Sequence, residues 1–169
     1  NEFMEKSDLT CGRSSKFTRL SQASTAYRQA RAAARLGACA QPAGKHLDVP
    51  FNWTRIFSFD RCQMMFVAKR AGSDLPLLTS TYAGTVIRSI MEDDAVHGTD
   101  NYEFLYEYLL NERRANIVAE RLHMHRNNVK YRIDRIEDKY GIDTNDPSLR
   151  FDFLLAYRLI NAETMQNAQ

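Results

Sequence analysis

Residues 116–136, NIVAERLHMHRNNVKYRIDRI, contain two apolar patterns separated by a short polar segment. The first pattern ends at Leu122, and the second starts at Val129 and recurs every three or four residues. That spacing places the apolar side chains on one face of an α-helix. The stretch is therefore predicted to form two helices, at 116–122 and 126–140, joined by a tight turn as in a helix-turn-helix.

Six side chains are predicted to hold this helix pair together. Small Ala119 in the first helix would let the second helix cross closely, and Met124 would fill the turn. The predicted packing residues are Ala119, Leu122, Met124, Val129, Ile133 and Ile136. Arg132 is expected on the flank of this buried stripe, where it could tie the two helices together through Glu120.

The opposite face of the second helix is polar and basic. Between Arg121 and Arg135 there are five cationic side chains and one carboxylate, Asp134, although the whole chain has a formal net charge of only +2. Arginine and asparagine can form paired hydrogen bonds with guanine and adenine edges, and lysine or tyrosine can bind phosphate oxygens. The residues predicted to contact DNA are His125, Arg126, Asn127, Asn128, Lys130, Tyr131 and Arg135. A helix pair that only packs would show much of the same pattern, so that interpretation stays open here.

The first part of the chain is predicted to be a small α/β segment. Residues 3–11 give an extended pattern and 12–15 a turn. Residues 21–37 are rich in alanine and helical, and 55–59 alternate as in a short strand. One narrow face of the helix could lie close on a sheet, and it consists of Ala23, Ala26, Tyr27, Ala30 and Ala34. Asp60 can cap a helix that extends to about Ala71, and residues 73–76 are the best linker candidate. The arginines on the outer faces of the first helix could contact an anion, but a solvated helix surface is the commoner explanation.

After residue 76 the chain is predicted to be helical. Apolar residues keep helical spacing from Leu77 to Met91, until the acidic run 92–94. A turn with a helix cap follows at 97–100. Asp146-Pro147 supplies an N-cap and a first-turn proline for a last helix. The predicted fold class is therefore mainly α.

The stretch AERLHMHRNNVKYRIDRIEDKYGID, preceded by EDDAVHGTDNYEFLYEYL and followed by DPSLRFDFLLAYRLI, resembles the C-terminal DNA-binding domain of PucR/CdaR-type bacterial transcription regulators. The resemblance covers about residues 78–160 and includes the motif His125-Arg126-Asn127. It implies a helix-turn-helix that binds double-stranded operator DNA as a homodimer and controls a catabolic operon of the purine or sugar-diacid type. Asn128 stands where the family usually has threonine, which could shift the preferred site.

Residues 12–37, GRSSKFTRLSQASTAYRQARAAARLG, look like the late part of the degenerate cyclase-like (GGDEF-like) domain that precedes the DNA-binding domain in many members. The resemblance implies two domains: 1–73, the C-terminal part of a GGDEF-like domain with a small α/β fold, and 74–169, a helix-turn-helix helical bundle. Because the resemblance covers only the end of that domain, and because three residues precede Met4, we expect a fragment of a longer regulator. A small-molecule effector would then be sensed by a missing upstream region.

Other classes of function find little support in the sequence. Three scattered cysteines without a paired motif favour reduced thiols in a cytoplasmic protein. His123 and His125 lack further ligands nearby, and each is expected to cap a helix or contact phosphate instead, so neither a metal nor another cofactor is predicted. No glycine-rich phosphate loop or nucleophile elbow suggests an enzyme, and no apolar run is long enough to span a membrane.

One rival interpretation treats the helical half as a protein-protein interaction or dimerisation module without DNA binding. Its docking surface would be the aromatic stripe of Tyr102, Phe104, Tyr106 and Tyr108. We expect these rings to pack in a core or a dimer interface instead, because large exposed apolar patches are uncommon.

Overall fold

The computed structural model describes residues 10–39 and 56–167. These residues confirm the mainly α fold with a small α/β part near the N-terminus. Contacts divide the chain into two compact units. The first, called here the helical unit, is residues 76–160. The second, the N-terminal unit, holds the described residues before position 76 together with those from 161 onward.

The N-terminal unit is built on two short parallel strands. Its elements are β1 (Cys11–Arg13), α1 (Ala23–Cys39), β2 (Ile56–Ser58) and α2 (Phe59–Ala71). Gly12 in β1 pairs with Phe57 in β2. Parallel strands need a crossover segment between them, and α1 lies in that part of the chain and packs on both strands. Ala33, Leu36, Phe57 and Cys62 form the small buried core.

A close approach of β1 to α1 depends on Gly12 and on the small residues of the helix. A Cβ at position 12 would lie 1.8 Å from the carbonyl oxygen of Ala30. Ala26 and Ala33 are buried on the same side of α1, whereas Tyr27, which the sequence placed on that face, is 67% exposed. The predicted face of small residues is therefore present only in part: Ala26 is buried and Ala30 and Ala34 are half-buried, but Ala23 is exposed like Tyr27, and the buried Ala33 lies outside the predicted face.

Element boundaries in this unit differ from the predicted ones. Residues 11–13 form a strand where a turn was expected at 12–15, because parallel pairing with β2 supplies hydrogen bonds that no local pattern records. Helix α1 continues through Gly37 to Cys39. Ser58, and not Asp60, occupies the N-cap position of α2. Asp60 lies inside the first turn, where its negative charge interacts favourably with the positive end of the helix dipole. Residues 3–9 of the predicted strand lie outside the described residues.

Six helices follow from residue 75 onward. They are α3 (Leu75–Thr79), α4 (Tyr82–His97), α5 (Asn101–Leu110), α6 (Ala115–Arg121), α7 (Arg126–Tyr140) and α8 (Pro147–Asn167). Gly98 and Gly141 end α4 and α7 in the left-handed conformation, with φ of 64° and 65°. The Asp146 carboxylate accepts hydrogen bonds from the backbone N–H groups of Ser148 and Leu149, as an N-cap for α8.

The predicted helix over 77–91 is interrupted and then longer than expected. The Ser80 hydroxyl donates to the carbonyl of Pro76 (2.6 Å), and the Thr81 hydroxyl accepts from the N–H of Gly84 (3.2 Å), so a new helix is capped at Thr81. The acidic run 92–94 is helical and not a turn, because α4 continues to His97.

The core of the helical unit is rich in aromatic side chains. Phe104, Phe153 and Tyr157 are buried, with exposed fractions of 1%, 0% and 0%. The Tyr157 hydroxyl donates to the carbonyl of Tyr102 (3.0 Å), and burial raises the pKa of Tyr157 well above its ordinary value. Tyr106 packs on the same ring, with centroids 5.0 Å apart. These rings therefore pack in a core, as expected, and form no free aromatic stripe.

A polar cluster joins α4 to the C-terminal end of α7. The Asp93 carboxylate accepts a hydrogen bond from Lys139 Nζ (2.6 Å) and one from the Tyr140 hydroxyl (2.5 Å). These two donors, that of Lys139 first, hold the pKa of Asp93 below its ordinary value of about 3.9. The folded state therefore favours the charged carboxylate.

The free energy of unfolding is expected to depend on this cluster in acid. A carboxyl whose pKa is lower in the folded state stabilises the protein above its unfolded pKa, and that contribution is lost as pH falls through the folded pKa. The stability difference between the wild type and Asp93→Asn should be present at pH 7 and shrink as the pH falls below about 4. Urea unfolding at several pH values measures it. Glu92→Gln, an exposed neighbour in the same helix, is the control and should show no such convergence.

Candidate nucleic-acid interface

Helices α6 and α7 are joined by a compact turn. The N–H of Met124 donates to the carbonyl of Ala119 (2.8 Å), and the N–H of Leu122 donates to that of Val118 (2.9 Å). His123 directly follows the C-cap residue of α6, and its φ of 52° lies in the left-handed region. A Schellman ending requires that conformation at this position. The turn therefore has the geometry of a Schellman ending, with histidine where glycine is commoner.

His125 is the N-cap of α7. Its Nδ1 accepts a hydrogen bond from the backbone N–H of Asn127 (3.2 Å), so that nitrogen carries no proton in this arrangement. The predicted alternative to a metal ligand, a capping histidine, is what the structure contains at this position. Among the described residues no group of three or more His, Cys, Asp or Glu side chains is placed to hold a metal ion.

A buried stripe orients α7. Val129, Ile133 and Ile136 are 0%, 3% and 3% exposed and belong to the core of the helical unit. The other predicted packing residues differ in depth: Ala119 is buried, Met124 is half-buried against the core, and Leu122 is 36% exposed. Leu122 packs less than expected because it is the C-cap residue of α6, where the chain already turns away from the helix.

The seven side chains predicted to contact DNA are all exposed, and they lie on the first two and a half turns of α7 or on its N-cap. They are His125, Arg126, Asn127, Asn128, Lys130, Tyr131 and Arg135. Tyr131 is 65% exposed, and the Arg135 guanidinium lies 5.8 Å from the centroid of its ring. The structure thus brings these side chains together on one end of one helix, held outward by the buried stripe.

Two anchors hold α6 and α7 against α5. On α6, Arg121 Nε lies 3.0 Å from a carboxylate oxygen of Glu107, which also accepts a hydrogen bond from the Asn111 amide (2.9 Å). On α7, Arg132 Nε donates to Oδ1 of Asn101 (3.0 Å), and its Nη2 pairs with the Asp100 carboxylate. Both anchors reach residues that come before the helix pair in the chain.

Arg132 also stacks on the aromatic core. Its guanidinium carbon lies 4.2 Å from the centroid of the buried Phe104 ring, and its side chain is only 22% exposed. The expected link from Arg132 to Glu120 is wrong, because the polar start of α5 lies within reach of this flank of α7. Asp100 and Asn101 are positioning residues that the sequence reasoning missed, and the polar turn at 97–100 was the one signal that pointed near them.

Removal of this anchor is expected to destabilise the helical unit. Arg132→Met should lower the free energy of unfolding by about 1–2 kcal/mol, because it removes a charged hydrogen bond and a cation–π contact while keeping side-chain volume. Arg135→Met, three residues along the same helix but exposed, is the matched control and should change it by about 0.5 kcal/mol or less. Urea denaturation compares the two, and an equal loss in both variants would contradict the anchoring role.

The helix pair, its left-handed turn and its exposed polar N-terminal end are the features of a helix-turn-helix unit. Residues 102–159 match the family model of the PucR C-terminal helix-turn-helix domain. The match covers about a third of the 169 residues of the chain and confirms the predicted resemblance to a PucR-type helix-turn-helix domain for that segment. It indicates DNA-binding regulation of transcription as the class of function. No curated protein and no solved structure matched the chain.

A helix that crosses a membrane must be both long and apolar. Within the described residues, no helix meets both requirements.

Proposed function

We propose that this chain is a sequence-specific DNA-binding transcriptional regulator that reads double-stranded operator DNA with the N-terminal half of α7. The observation that carries the proposal is the exposed cluster from His125 to Arg135 on a helix whose opposite face is buried, within the segment that matches the PucR helix-turn-helix model. In helix-turn-helix proteins the second helix enters the major groove with its N-terminal residues on the base edges.

The proposed roles follow from side-chain chemistry and position. Arg126 and Asn127 lie in the first turn of α7, where they would form paired hydrogen bonds with guanine and adenine edges. Lys130, Tyr131 and Arg135 lie one to two and a half turns later, where they would bind phosphate oxygens and set the register on the duplex. Asn128 would contribute to the choice of site, and His125 would act through the helix cap and through contact with the backbone.

The finer part of the proposal concerns assembly and regulation. We infer a homodimer that reads paired half-sites about 34 Å apart, since that spacing is one turn of the duplex. The regulated genes would belong to a catabolic operon of the purine or sugar-diacid type. A small-molecule effector would act on a region upstream of this segment, and residues 1–73 would be the end of a GGDEF-like domain.

The fold argues against the rival proposal, an interaction module without DNA binding. Its docking surface was to be four aromatic side chains of α5, of which Phe104 is 1% exposed and the three tyrosines pack against the same core. Because Phe104 is buried and the three tyrosines are partly buried within the chain, these side chains offer little free area to a partner.

The salt dependence of duplex binding tests the proposal. Duplexes selected from a random pool would be titrated by fluorescence anisotropy at 50 and 200 mM KCl. A dimer that neutralises 6–10 phosphates is expected to lose about 10³- to 10⁵-fold in affinity across this range. A scrambled duplex of equal length is the control and should bind more weakly at both concentrations. Failure to enrich any duplex, at either salt concentration, would overturn the proposed function in favour of the interaction module.

A further inference from the structure

Charge is divided unevenly between the two units. The described residues of the N-terminal unit up to position 75 contain nine Lys and Arg side chains and two carboxylates. The helical unit contains eleven Lys and Arg side chains and fourteen carboxylates. Residues 10–39 contain six basic side chains and no Asp or Glu at all. The unit that carries the proposed reading helix is therefore acidic as a whole, and the basic excess lies in the N-terminal unit. The acidic unit alone would be repelled by a duplex at long range.

Three arginines form a single stripe on α1. Arg28, Arg31 and Arg35 are spaced at i, i+3 and i+7, so at 100° per residue they fall within a sector of about 60°. The buried residues Ala26 and Ala33 lie on the opposite side of the same helix, where it packs on the strands. The stripe consequently points away from the core of its unit.

The side chains of the stripe face solvent and have no polar partner among the described residues. All three side chains are exposed, and within the part of the chain that the structure describes none of them has an ion pair or a hydrogen bond. Tyr27, 67% exposed, lies four residues before Arg31 and borders the stripe with a phenolic hydroxyl. A solvated helix face usually alternates both signs of charge, and this one carries a single sign.

We propose that the stripe of Arg28, Arg31 and Arg35, with Tyr27 beside it, is a second DNA-contact surface that binds the phosphate backbone of a duplex without reading its sequence. The proposal rests on the proposed function, which brings a duplex to this chain. From Arg28 to Arg35 the helix rises about 10 Å, and consecutive phosphates of one strand are about 3.4 Å apart along the duplex axis. Three guanidinium groups therefore match about three phosphates, which they bind as charge-assisted donors.

The occupant we infer is duplex DNA and not RNA or an anionic membrane. The stripe is short, straight and rigid, since it lies in the middle of a 17-residue helix. Among the described residues, this face of α1 carries no large aliphatic side chain of the kind that an interfacial membrane helix inserts. Tyr27 is the one aromatic ring of α1, whereas proteins that bind unpaired bases stack successive bases on several rings. Regular phosphates at fixed spacing are the partner that such a surface fits best.

The test uses the full chain with all three arginines replaced, Arg28→Gln, Arg31→Gln and Arg35→Gln, since glutamine keeps helix propensity close to that of arginine. Affinities for the selected duplex and for a scrambled duplex are measured between 50 and 200 mM KCl. Each lost phosphate contact should reduce the slope of log K against log salt by about 0.9. For each stripe that contacts the duplex, the wild type should then lose roughly 40-fold more affinity than the variant across this range, and equally for both duplexes. The corresponding triple lysine variant, which keeps the charge, should restore most of the slope.

Two further measurements separate this proposal from the proposed function. A chain with Arg126→Ala and Asn127→Ala should lose its preference for the selected duplex while keeping the slope contributed by the stripe. An unchanged slope in the glutamine variant, with circular dichroism showing an intact fold, would overturn the stripe as a DNA contact while leaving the reading helix in place. Stripe-dependent binding to phosphatidylserine vesicles or to single-stranded RNA, in place of duplex, would also overturn it. If the wild type binds no duplex, both proposals fail together.

Discussion

Replacement of Arg126 by alanine is expected to weaken binding to the selected operator duplex by about 5- to 150-fold, which corresponds to about 1–3 kcal/mol. Arg126 is exposed in the first turn of α7, directly after the capping His125. A guanidinium there can make two parallel hydrogen bonds to one guanine, and the truncated side chain leaves those acceptors without a protein partner. Because the contact is to a base edge, the loss should be large for the selected duplex and much smaller for a scrambled one.

Asn127→Ala should give a loss of the same order, but at a different base pair. The paired contact of an asparagine amide is to adenine, so the two variants are expected to relax sequence preference at neighbouring positions of the half-site. Arg158→Ala, an exposed arginine of α8, is the control for the loss of one positive charge. Unfolding curves should be unchanged in all three variants, and retained specific binding by both Arg126→Ala and Asn127→Ala would overturn the assigned roles.

Phe153→Ala is expected to cause the largest loss of stability, about 3–5 kcal/mol in the free energy of unfolding. The Phe153 ring is 0% exposed and belongs to the core that also buries Phe104 and Tyr157. Removal of the ring loses its transfer free energy and leaves a cavity that rigid neighbours fill only in part. Since domains of this size are stable by about 5–15 kcal/mol, the variant should be near the limit of folding.

The same helix provides a matched control for that loss. Phe151 lies two residues earlier in α8 and is 66% exposed, so Phe151→Ala removes an equal ring from solvent-facing surface and should change stability by about 0.5 kcal/mol or less. Urea unfolding measures both variants. If Phe153→Ala prevents folding, Phe153→Leu keeps the test quantitative with an expected loss of about 1–2 kcal/mol. Equal losses at 151 and 153 would contradict the assigned core.

The elements that carry the candidate site could be predicted closely because their signals are local. The predicted bounds of α7 are those observed, with a helical apolar period inside and Gly141 at its end in the left-handed conformation. The N-cap and first-turn proline at 146–147 also matched. Helix periodicity and terminal residues act over four or fewer positions, so a single sequence contains them.

Features that depend on partners far along the chain could not be predicted. The Arg132 anchor joins residues 31 positions apart, and the link from Tyr140 to Asp93 spans 47. By sequence several carboxylates are equally available to Arg132, and the expected partner, Glu120, is not the one that it contacts. The break between α3 and α4 at Ser80 could not be predicted either, because the apolar spacing continues across the capping residue Thr81.

By itself the sequence determined the helical class of the protein, the position of the helix pair and the polar and basic side chains exposed at the start of its second helix. These properties follow from the order of neighbouring residues. Only the tertiary structure decided which carboxylate and which aromatic ring hold that helix in place, and that the arginines of α1 point away from their own core. Those facts depend on which distant segments meet, and packing settles that through shape and burial, which no local pattern contains.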